Sequence, residues 1–83
     1  MLFKVEMTVN IPLDMPKDVA DKIKADEKAY AQKLQEQGKW RHVWRVAGSY
    51  ANVSIFDVES NEELHNLLNG LPLYPYMTIS VAP

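Results

Sequence analysis

The sequence predicts an α+β domain in which a four-stranded antiparallel sheet carries two helices on one face. Segments with alternating apolar and polar residues recur along the 83-residue chain, two other segments have helical periodicity, and the connections between them are short. In chain order these segments read βαββαβ, which is the ferredoxin-like pattern. We expect residues 1–83 to form a single small domain.

The first strand and the first helix are predicted from their periodicities. Apolar residues alternate with polar ones over residues 3–11, which is typical of a strand with one buried face. The helix is predicted over residues 16–37, with Asp14 or Met15 as the residue that caps its N-terminus. Gly38 follows the last helical residue, and glycine is common there because it adopts a left-handed backbone conformation freely.

The second and third strands are predicted over residues 39–47 and 51–58, which form a hairpin around the turn at Gly48. Strict alternation in the second strand places one set of side chains toward the helices, namely Trp40, His42, Trp44 and Val46. The open face then carries the alternate set, Arg41, Val43, Arg45 and Ala47. This register predicts core packing for Trp44. It leaves two roles open for His42, a buried hydrogen-bonded side chain or a group that moves protons or binds a ligand.

The second helix and the last strand complete the predicted sheet and its cover. Ser60 and Glu63 have the spacing of a capping box, and the helix that they open ends at Gly70. Residues 76–81 alternate again and form the fourth strand. The helices cover one face of the sheet and leave the other bare, and we therefore expect a homo-oligomer.

Composition argues against several classes of protein. A net charge of −2 is unlike that of a nucleic-acid binder, and the absence of cysteine excludes disulfides and cysteine-ligated metals. His42 and His65 lie too far apart in sequence to show metal-ligand spacing. The alternating N-terminus does not resemble a signal peptide, and no apolar run is long enough to span a membrane. We expect a soluble cytoplasmic protein with no metal, no cofactor, and no nucleic-acid or membrane partner.

Glu27 is the most informative residue, because it lies where the helical pattern requires an apolar one. At about 100° per residue, it projects within about 20° of the centre of the apolar stripe. That stripe consists of Val19, Ala20, Ile23, Tyr30, Ala31 and Leu34. A carboxylate that faces a core must be paired, hydrogen-bonded or protonated. Two roles stay open: a structural carboxylate bonded to an arginine or tyrosine of the sheet, or a general base in a pocket between helix and sheet.

Two further features flank Glu27. Lys24 lies one turn earlier at the edge of the same stripe, where it either pairs with Glu27 or holds a substrate carboxylate or a developing enolate oxygen. The aromatic segment 71–76 is either a rigid connection into the last strand or a wall over a small pocket, with Tyr74 or Tyr76 lending a hydroxyl. We favour the wall.

The block Lys24-Ala25-Asp26-Glu27-Lys28, followed by Trp40-Arg41-His42 and Trp44-Arg45, resembles muconolactone Δ-isomerase. Shorter matches run across the chain, among them Met7-Thr8-Val9, Phe56-Asp57-Val58 and Leu71-Pro72-Leu73. The resemblance implies the dimeric α+β barrel form of the ferredoxin-like fold, assembled into a ring-like decamer that is a pentamer of dimers. It also implies a cofactor-free 1,3-proton shift that converts muconolactone to 3-oxoadipate enol-lactone, in the catechol branch of the β-ketoadipate pathway.

Carried over by position, the resemblance implies that Glu27 is the base that removes and redelivers the proton, and that Lys24 is the second catalytic residue. The residues predicted to bind the substrate are Arg41, His42, Arg45 and Tyr76. Which of the two arginines holds the substrate carboxylate stays open, because the two faces of a strand cannot both line one pocket and the predicted register places both arginines on the open face. A neighbouring subunit could supply the arginine across an interface. Three alternatives also stay open: elimination of chloride from a chlorinated muconolactone, a non-catalytic protein that binds a small acid, and a cofactor-free monooxygenase.

Overall fold

The computed structural model describes all 83 residues, Met1–Pro83. The elements follow one another as β1 (Leu2–Val9), α1 (Lys17–Glu36), β2 (Trp40–Arg45), β3 (Ala51–Asp57), α2 (Asn61–Asn69), a 3₁₀ turn (Tyr74–Tyr76) and β4 (Met77–Ala82). The strands hydrogen-bond in the order β2-β3-β1-β4, and each neighbouring pair is antiparallel. The predicted ferredoxin-like arrangement is confirmed.

The core lies between the two helices and one face of the sheet. In β1 every second side chain is buried, in the order Phe3, Val5, Met7 and Val9. Leu34 of α1 and Leu64 and Leu68 of α2 belong to the same buried cluster as Phe3, Val5 and Met7, so both helices cover one face, as predicted. On the opposite, exposed face Lys4 Nζ lies 3.6 Å from a carboxylate oxygen of Glu6.

An irregularity in β2 changes which side chains face the helices. Trp40 pairs with Phe56 of β3, yet His42 pairs with the adjacent Ile55, so that Arg41 is an extra residue in the ladder. This is a β-bulge, which adds one residue to one strand and reverses the alternation beyond it. Trp40, before the bulge, is buried and stacks on Phe56 with ring centroids 4.9 Å apart.

The predicted faces are wrong for the residues after the bulge. His42 and Trp44 lie on the open face, where their rings stack with centroids 5.5 Å apart and Trp44 is 55% exposed. Val43 and Arg45, predicted for the open face, lie on the helix face instead. The strand also ends at Arg45, two residues earlier than predicted. A pattern with a period of two cannot reveal one inserted residue, which is why the sequence prediction failed here.

The N-terminus of α1 differs from its prediction. The helix begins at Lys17, and Pro16 occupies the capping position with an extended backbone (φ −57°, ψ 141°) and no side-chain cap. The prediction of Asp14 or Met15 at this position is therefore wrong. The proline ring fixes φ near a helical value, while ψ is free to stay extended, so Pro16 itself forms the boundary between loop and helix.

The C-terminus of α1 ends at glycine as predicted. Gly38 has a φ of +76°, and its N–H donates to the Gln35 carbonyl at 3.0 Å. The N–H of Lys39 donates to the Leu34 carbonyl, also at 3.0 Å. This pair of bonds is a Schellman motif, which satisfies two of the carbonyls that a helix end leaves without partners.

The start of α2 is capped by Ser60, as predicted. Its hydroxyl accepts the N–H of Glu63 at 3.1 Å. The Glu63 carboxylate accepts the N–H of Glu59 at 2.8 Å, whereas a capping box would use the N–H of Ser60 itself. The same carboxylate also accepts a hydrogen bond from Lys39 Nζ at 3.1 Å. These hydrogen bonds lower the pKa of Glu63. The cap fixes where the chain leaves β3 and thereby sets the position of α2 over the sheet.

Gly70 allows α1 and α2 to approach closely. The Tyr30 hydroxyl donates to the Leu67 carbonyl at 2.7 Å, and a Cβ at residue 70 would lie 2.5 Å from that hydroxyl and 3.1 Å from Cζ of the ring.

We expect Gly70→Ala to lower the free energy of unfolding by about 1–3 kcal/mol, because the Tyr30 ring must shift. Urea denaturation measures the change. In a Tyr30→Phe background the same substitution should have a smaller effect, since the closest atom is gone; equal effects in both backgrounds would contradict the explanation.

Candidate active site

A cavity of about 660 Å³ opens between α1, the sheet and the connection into β4. The wall formed by α1 carries Lys24, Glu27 and Lys28, whose spacing places them on one side of a helix. The floor is formed by strand residues, namely Val9, Val43, Arg45, Ala51, Asn52 and Met77. Leu73 closes the side toward β4. The cavity therefore combines an apolar lining with one carboxyl group and three cationic side chains.

Glu27 lies half-buried in this wall and has no cationic partner. Its Oε1 accepts the backbone N–H of Leu73 at 3.0 Å, and its second oxygen has no hydrogen-bond partner in the protein. Burial raises the pKa of the Glu27 carboxyl, and the Leu73 N–H opposes part of that rise. One oxygen is thus fixed by the main chain, while the other is available to accept a proton.

The connection into β4 positions the N–H that holds Glu27. Leu71 and Leu73 are both only 2% exposed, which anchors this segment in the core. The N–H of Tyr74 donates to the Leu71 carbonyl, and the N–H of Tyr76 donates to the Leu73 carbonyl, so the chain turns tightly here. The segment forms one side of the cavity through Leu73, rather than through a tyrosine hydroxyl.

The cationic side chains of the cavity are not neutralised by Glu27. Lys24 forms no ion pair with Glu27; its Nζ lies 5.7 Å from the centre of the Tyr50 ring, within the range of a cation–π contact. Lys28 and Arg45 also line the cavity and have no ion-pair partner among the salt bridges of the protein. Three cations beside one carboxylate favour the binding of an anion.

The bulge in β2 decides which arginine reaches the cavity. Arg45, on the helix face, lines the cavity together with Glu27. Arg41 does not; its guanidinium donates to the Asp57 carboxylate at 3.0 Å and is half exposed. Of the two arginines, only Arg45 therefore lies beside Glu27 in this cavity.

His42 and Tyr76 also lie outside this cavity. His42 is on the open face of the sheet, and together with Arg41 and Trp40 it borders a separate depression of about 480 Å³. Tyr76 ends the 3₁₀ turn, and its carbonyl accepts the N–H of Asn10 at 2.7 Å. No group of three His, Asp or Glu side chains converges as a metal site would require.

The polar lining residues that the sequence reasoning did not predict as site residues are Lys28, Gln35, Tyr50 and Asn52. Burial and the nearby charge of Glu27 raise the pKa of the Tyr50 hydroxyl, while Arg45 lowers it, so this ring lies among the charged groups of the cavity. Tyr50 comes from the hairpin turn, and no pattern in the sequence indicates where a turn residue points. Asn52 gave a usable signal, because it is a polar residue at an inward position of a predicted strand.

Fold and site together define a small α+β protein with an acid–base pocket that is suited to an organic anion. The chain belongs to the muconolactone Δ-isomerase family, since the family model described as Muconolactone delta-isomerase matches residues 1–83. The resemblance found in the sequence is thereby confirmed. None of the helices has the length and apolarity needed to cross a bilayer.

Similar proteins cover nearly the whole chain. This chain is 67% identical over 81 residues to Muconolactone Delta-isomerase of Acinetobacter baylyi, and the match covers 98% of this chain and 84% of that protein. It is 68% identical over 83 residues to Muconolactone Delta-isomerase 1 of Acinetobacter lwoffii, covering 100% of this chain and 86% of that protein. A crystal structure of muconolactone isomerase superposes with a TM-score of 0.94 at 58% identity, covering 99% of this chain and 85% of the other.

Proposed function

We propose that this protein is an intramolecular isomerase that converts muconolactone to 3-oxoadipate enol-lactone by a cofactor-free 1,3-proton shift, in the β-ketoadipate pathway of catechol degradation. Relatives at 67% and 68% identity carry the name of this enzyme. The observation that carries the proposal is a half-buried glutamate, Glu27, with a raised pKa and no cationic partner, beside a cavity large enough for a small lactone.

The proposed reaction needs one group that both removes and returns a proton. The Glu27 carboxylate takes the proton from the γ-carbon of the unsaturated lactone, and the electron pair of that C–H bond moves through the C=C bond onto the lactone carbonyl oxygen. The resulting dienolate takes the proton back at its α-carbon, so the double bond moves and Glu27 returns to its carboxylate form. A raised pKa brings the glutamate closer to the acidity of this task than a solvated carboxyl would be.

The cations of the cavity supply the binding energy for the substrate carboxylate. We assign this role to Arg45 together with Lys24, because both line the same cavity as Glu27. A guanidinium forms two parallel hydrogen bonds to a carboxylate, which fixes the orientation of the lactone ring relative to the base. Lys24 also adds positive charge near the dienolate as it forms.

We expect kcat/KM to fall as the pH is lowered through the pKa of Glu27, because only the carboxylate form accepts a proton. Burial raises this pKa, so the fall should begin at a higher pH than an ordinary glutamate would give. Initial rates with muconolactone across the acidic and neutral range measure the profile. A profile that is flat down to the ordinary pKa of glutamate would contradict the assignment.

We also propose that the chain assembles into a homo-oligomer, a decamer built from dimers, and acts in the cytoplasm. The support is the open face of the sheet, which carries Leu2 at 59% and Trp44 at 55% exposure. Large apolar side chains on a face that no helix covers favour association with another copy. Light scattering on the purified protein measures the assembly, and a monomer would contradict it.

The direct test of the proposed function is an ultraviolet assay of muconolactone turnover by the purified protein. Formation of the enol-lactone supports the proposal. Chloride release from a chlorinated muconolactone without isomerisation of muconolactone would favour elimination chemistry instead. Ligand occupancy in a soaked crystal without turnover would favour a binding protein, and oxygen uptake with a phenolic substrate would favour a monooxygenase.

A further inference from the structure

Ser54 is the polar side chain that the core buries completely, with 0% exposure. It lies on the helix face of β3, between Val5 of β1 and Val43 of β2 in the sheet register. A hydroxyl among apolar neighbours is unfavourable unless it is hydrogen-bonded. The Ser54 hydroxyl donates to Oδ1 of Asn52 at 2.7 Å. This buried hydroxyl therefore holds the side chain of Asn52, which is the preceding residue on the same face of β3.

The amide of Asn52 is held in one orientation from two sides. Its Oδ1 accepts from Ser54, and its Nδ2 lies 3.9 Å from the sulfur of Met7. A thioether sulfur carries no hydrogen and acts only as a weak acceptor. If the Asn52 amide were rotated by 180°, its oxygen would face the Met7 sulfur, and neither atom could donate a hydrogen bond. The Asn52 NH₂ group has two hydrogens, and its single contact in the protein, to Met7, leaves one of them without a partner.

We propose that Asn52 is a substrate-binding residue whose amide donates to the lactone carbonyl oxygen, and that Ser54 is the positioning residue that fixes this amide. The proposal rests on the proposed isomerase function. Asn52 belongs to the floor of the cavity, directly opposite Arg45 in the sheet register, while Glu27 belongs to its helical wall. A lactone ring between floor and wall therefore meets the base on one side and a fixed amide donor on the other.

The carbonyl oxygen suits this amide better than the substrate carboxylate does. The carboxylate is a full charge, and Lys24, Lys28 and Arg45 already provide cations for it. The carbonyl oxygen is uncharged in the bound substrate and gains negative charge only when Glu27 removes the proton. A neutral donor that is already oriented binds the ground state weakly and the dienolate strongly, and that difference accelerates the reaction. The amide transfers no proton itself.

The test compares four variants with the wild-type protein: Asn52→Ala, Ser54→Ala, the double variant, and Ser80→Ala as a matched control. Ser80 lies exposed on the open face of β4, away from the cavity.

We expect Asn52→Ala to lower kcat by about 10-fold to 100-fold with little change in KM. Ser54→Ala should lower kcat by a smaller factor. The double variant should be no slower than Asn52→Ala alone, because Ser54 acts only through Asn52. Ser80→Ala should match the wild type.

A binding measurement supports the same conclusion without turnover. The probes are two carboxymethyl lactones, a saturated ring and a tetronate ring whose ionised enol oxygen resembles the dienolate. We expect Asn52→Ala to weaken tetronate binding by at least about 10-fold and binding of the saturated lactone by about threefold or less. Equal losses for the two probes, an unchanged kcat in Asn52→Ala, or additive losses in the double variant would overturn the proposal.

The failure of this inference is distinguishable from failure of the proposed function. If the wild-type protein does not isomerise muconolactone, the proposed function is refuted by the wild-type measurement itself. If the wild type is active and Asn52→Ala is equally active, the isomerase function stands and the role of Asn52 is refuted. Thermal unfolding of each variant shows whether the fold is retained, and the ratio between the two probes is read only from folded protein.

Discussion

Replacing Glu27 with glutamine is expected to lower kcat for muconolactone by about 10²-fold to 10⁴-fold, the range typical of a lost general base. The amide has nearly the same shape and keeps an oxygen that accepts the Leu73 N–H, which is 3.0 Å from Oε1 in the wild type. It cannot take a proton from carbon at any useful pH. Because the geometry of the cavity is preserved, the loss should appear in kcat, with KM changed little.

A matched control is available on the same helix. Glu36 lies exposed in the last turn of α1 and outside the cavity, so Glu36→Gln makes the same chemical change without touching the site. We expect this variant to retain wild-type kinetics. Wild-type turnover by Glu27→Gln would remove Glu27 from the role of base, and an equal loss in both variants would indicate an effect of charge on the whole helix.

The stability of Glu27→Gln provides an independent check on the burial of this group. The pKa of Glu27 is raised in the folded protein, so between the ordinary pKa and the raised one the folded state binds more protons than the unfolded state. Stability of the wild type therefore falls as the pH rises through this window, and the loss is complete above it. Glutamine does not titrate. The variant should be as stable as the wild type or more so at neutral pH, and this difference should disappear below the ordinary pKa of glutamate in urea titrations.

The fold was predictable because its signals are local. The alternation in β1, the spacing of Ser60 and Glu63, and the glycine after α1 each depend on neighbouring residues, and all of them agree with one topology. The exception at the start of α1 has a local cause as well. A proline that stands at the boundary rather than inside the first turn leaves no capping side chain to read from the sequence.

The site was predictable only in part, because the placement of Val43 and Arg45 in the cavity depends on one inserted residue in β2. Glu27 and Lys24 follow from helical geometry, and both line the cavity. The face of every residue after Arg41 depends on the bulge, which the sequence pattern does not reveal, and this is why His42 and Arg45 exchange their predicted faces. The N–H of Leu73 that holds Glu27 is a backbone group, and its position follows from tertiary packing alone.

The bulge itself leads to a prediction about two arginines four residues apart. Arg45→Gln is expected to raise KM by about 10-fold to 100-fold, because a charge-assisted hydrogen bond to the substrate carboxylate is worth roughly 1.5–3 kcal/mol. Arg41→Gln is expected to leave KM unchanged, because Arg41 binds Asp57 at 3.0 Å and lies outside the cavity. Steady-state kinetics on both variants measure the contrast, with kcat affected less than KM in Arg45→Gln.

Ionic strength separates a role in binding the anion from an effect on the shape of the cavity. Added salt screens the attraction between a partly exposed guanidinium and a carboxylate, so KM of the wild type should rise with salt. The slope should be smaller in Arg45→Gln, which has lost one of the charges, and should stay at the wild-type value in Arg41→Gln. If Arg41→Gln loses affinity and Arg45→Gln does not, the substrate is bound on the other side of the strand. In that case the bulge does not determine which arginine serves the site.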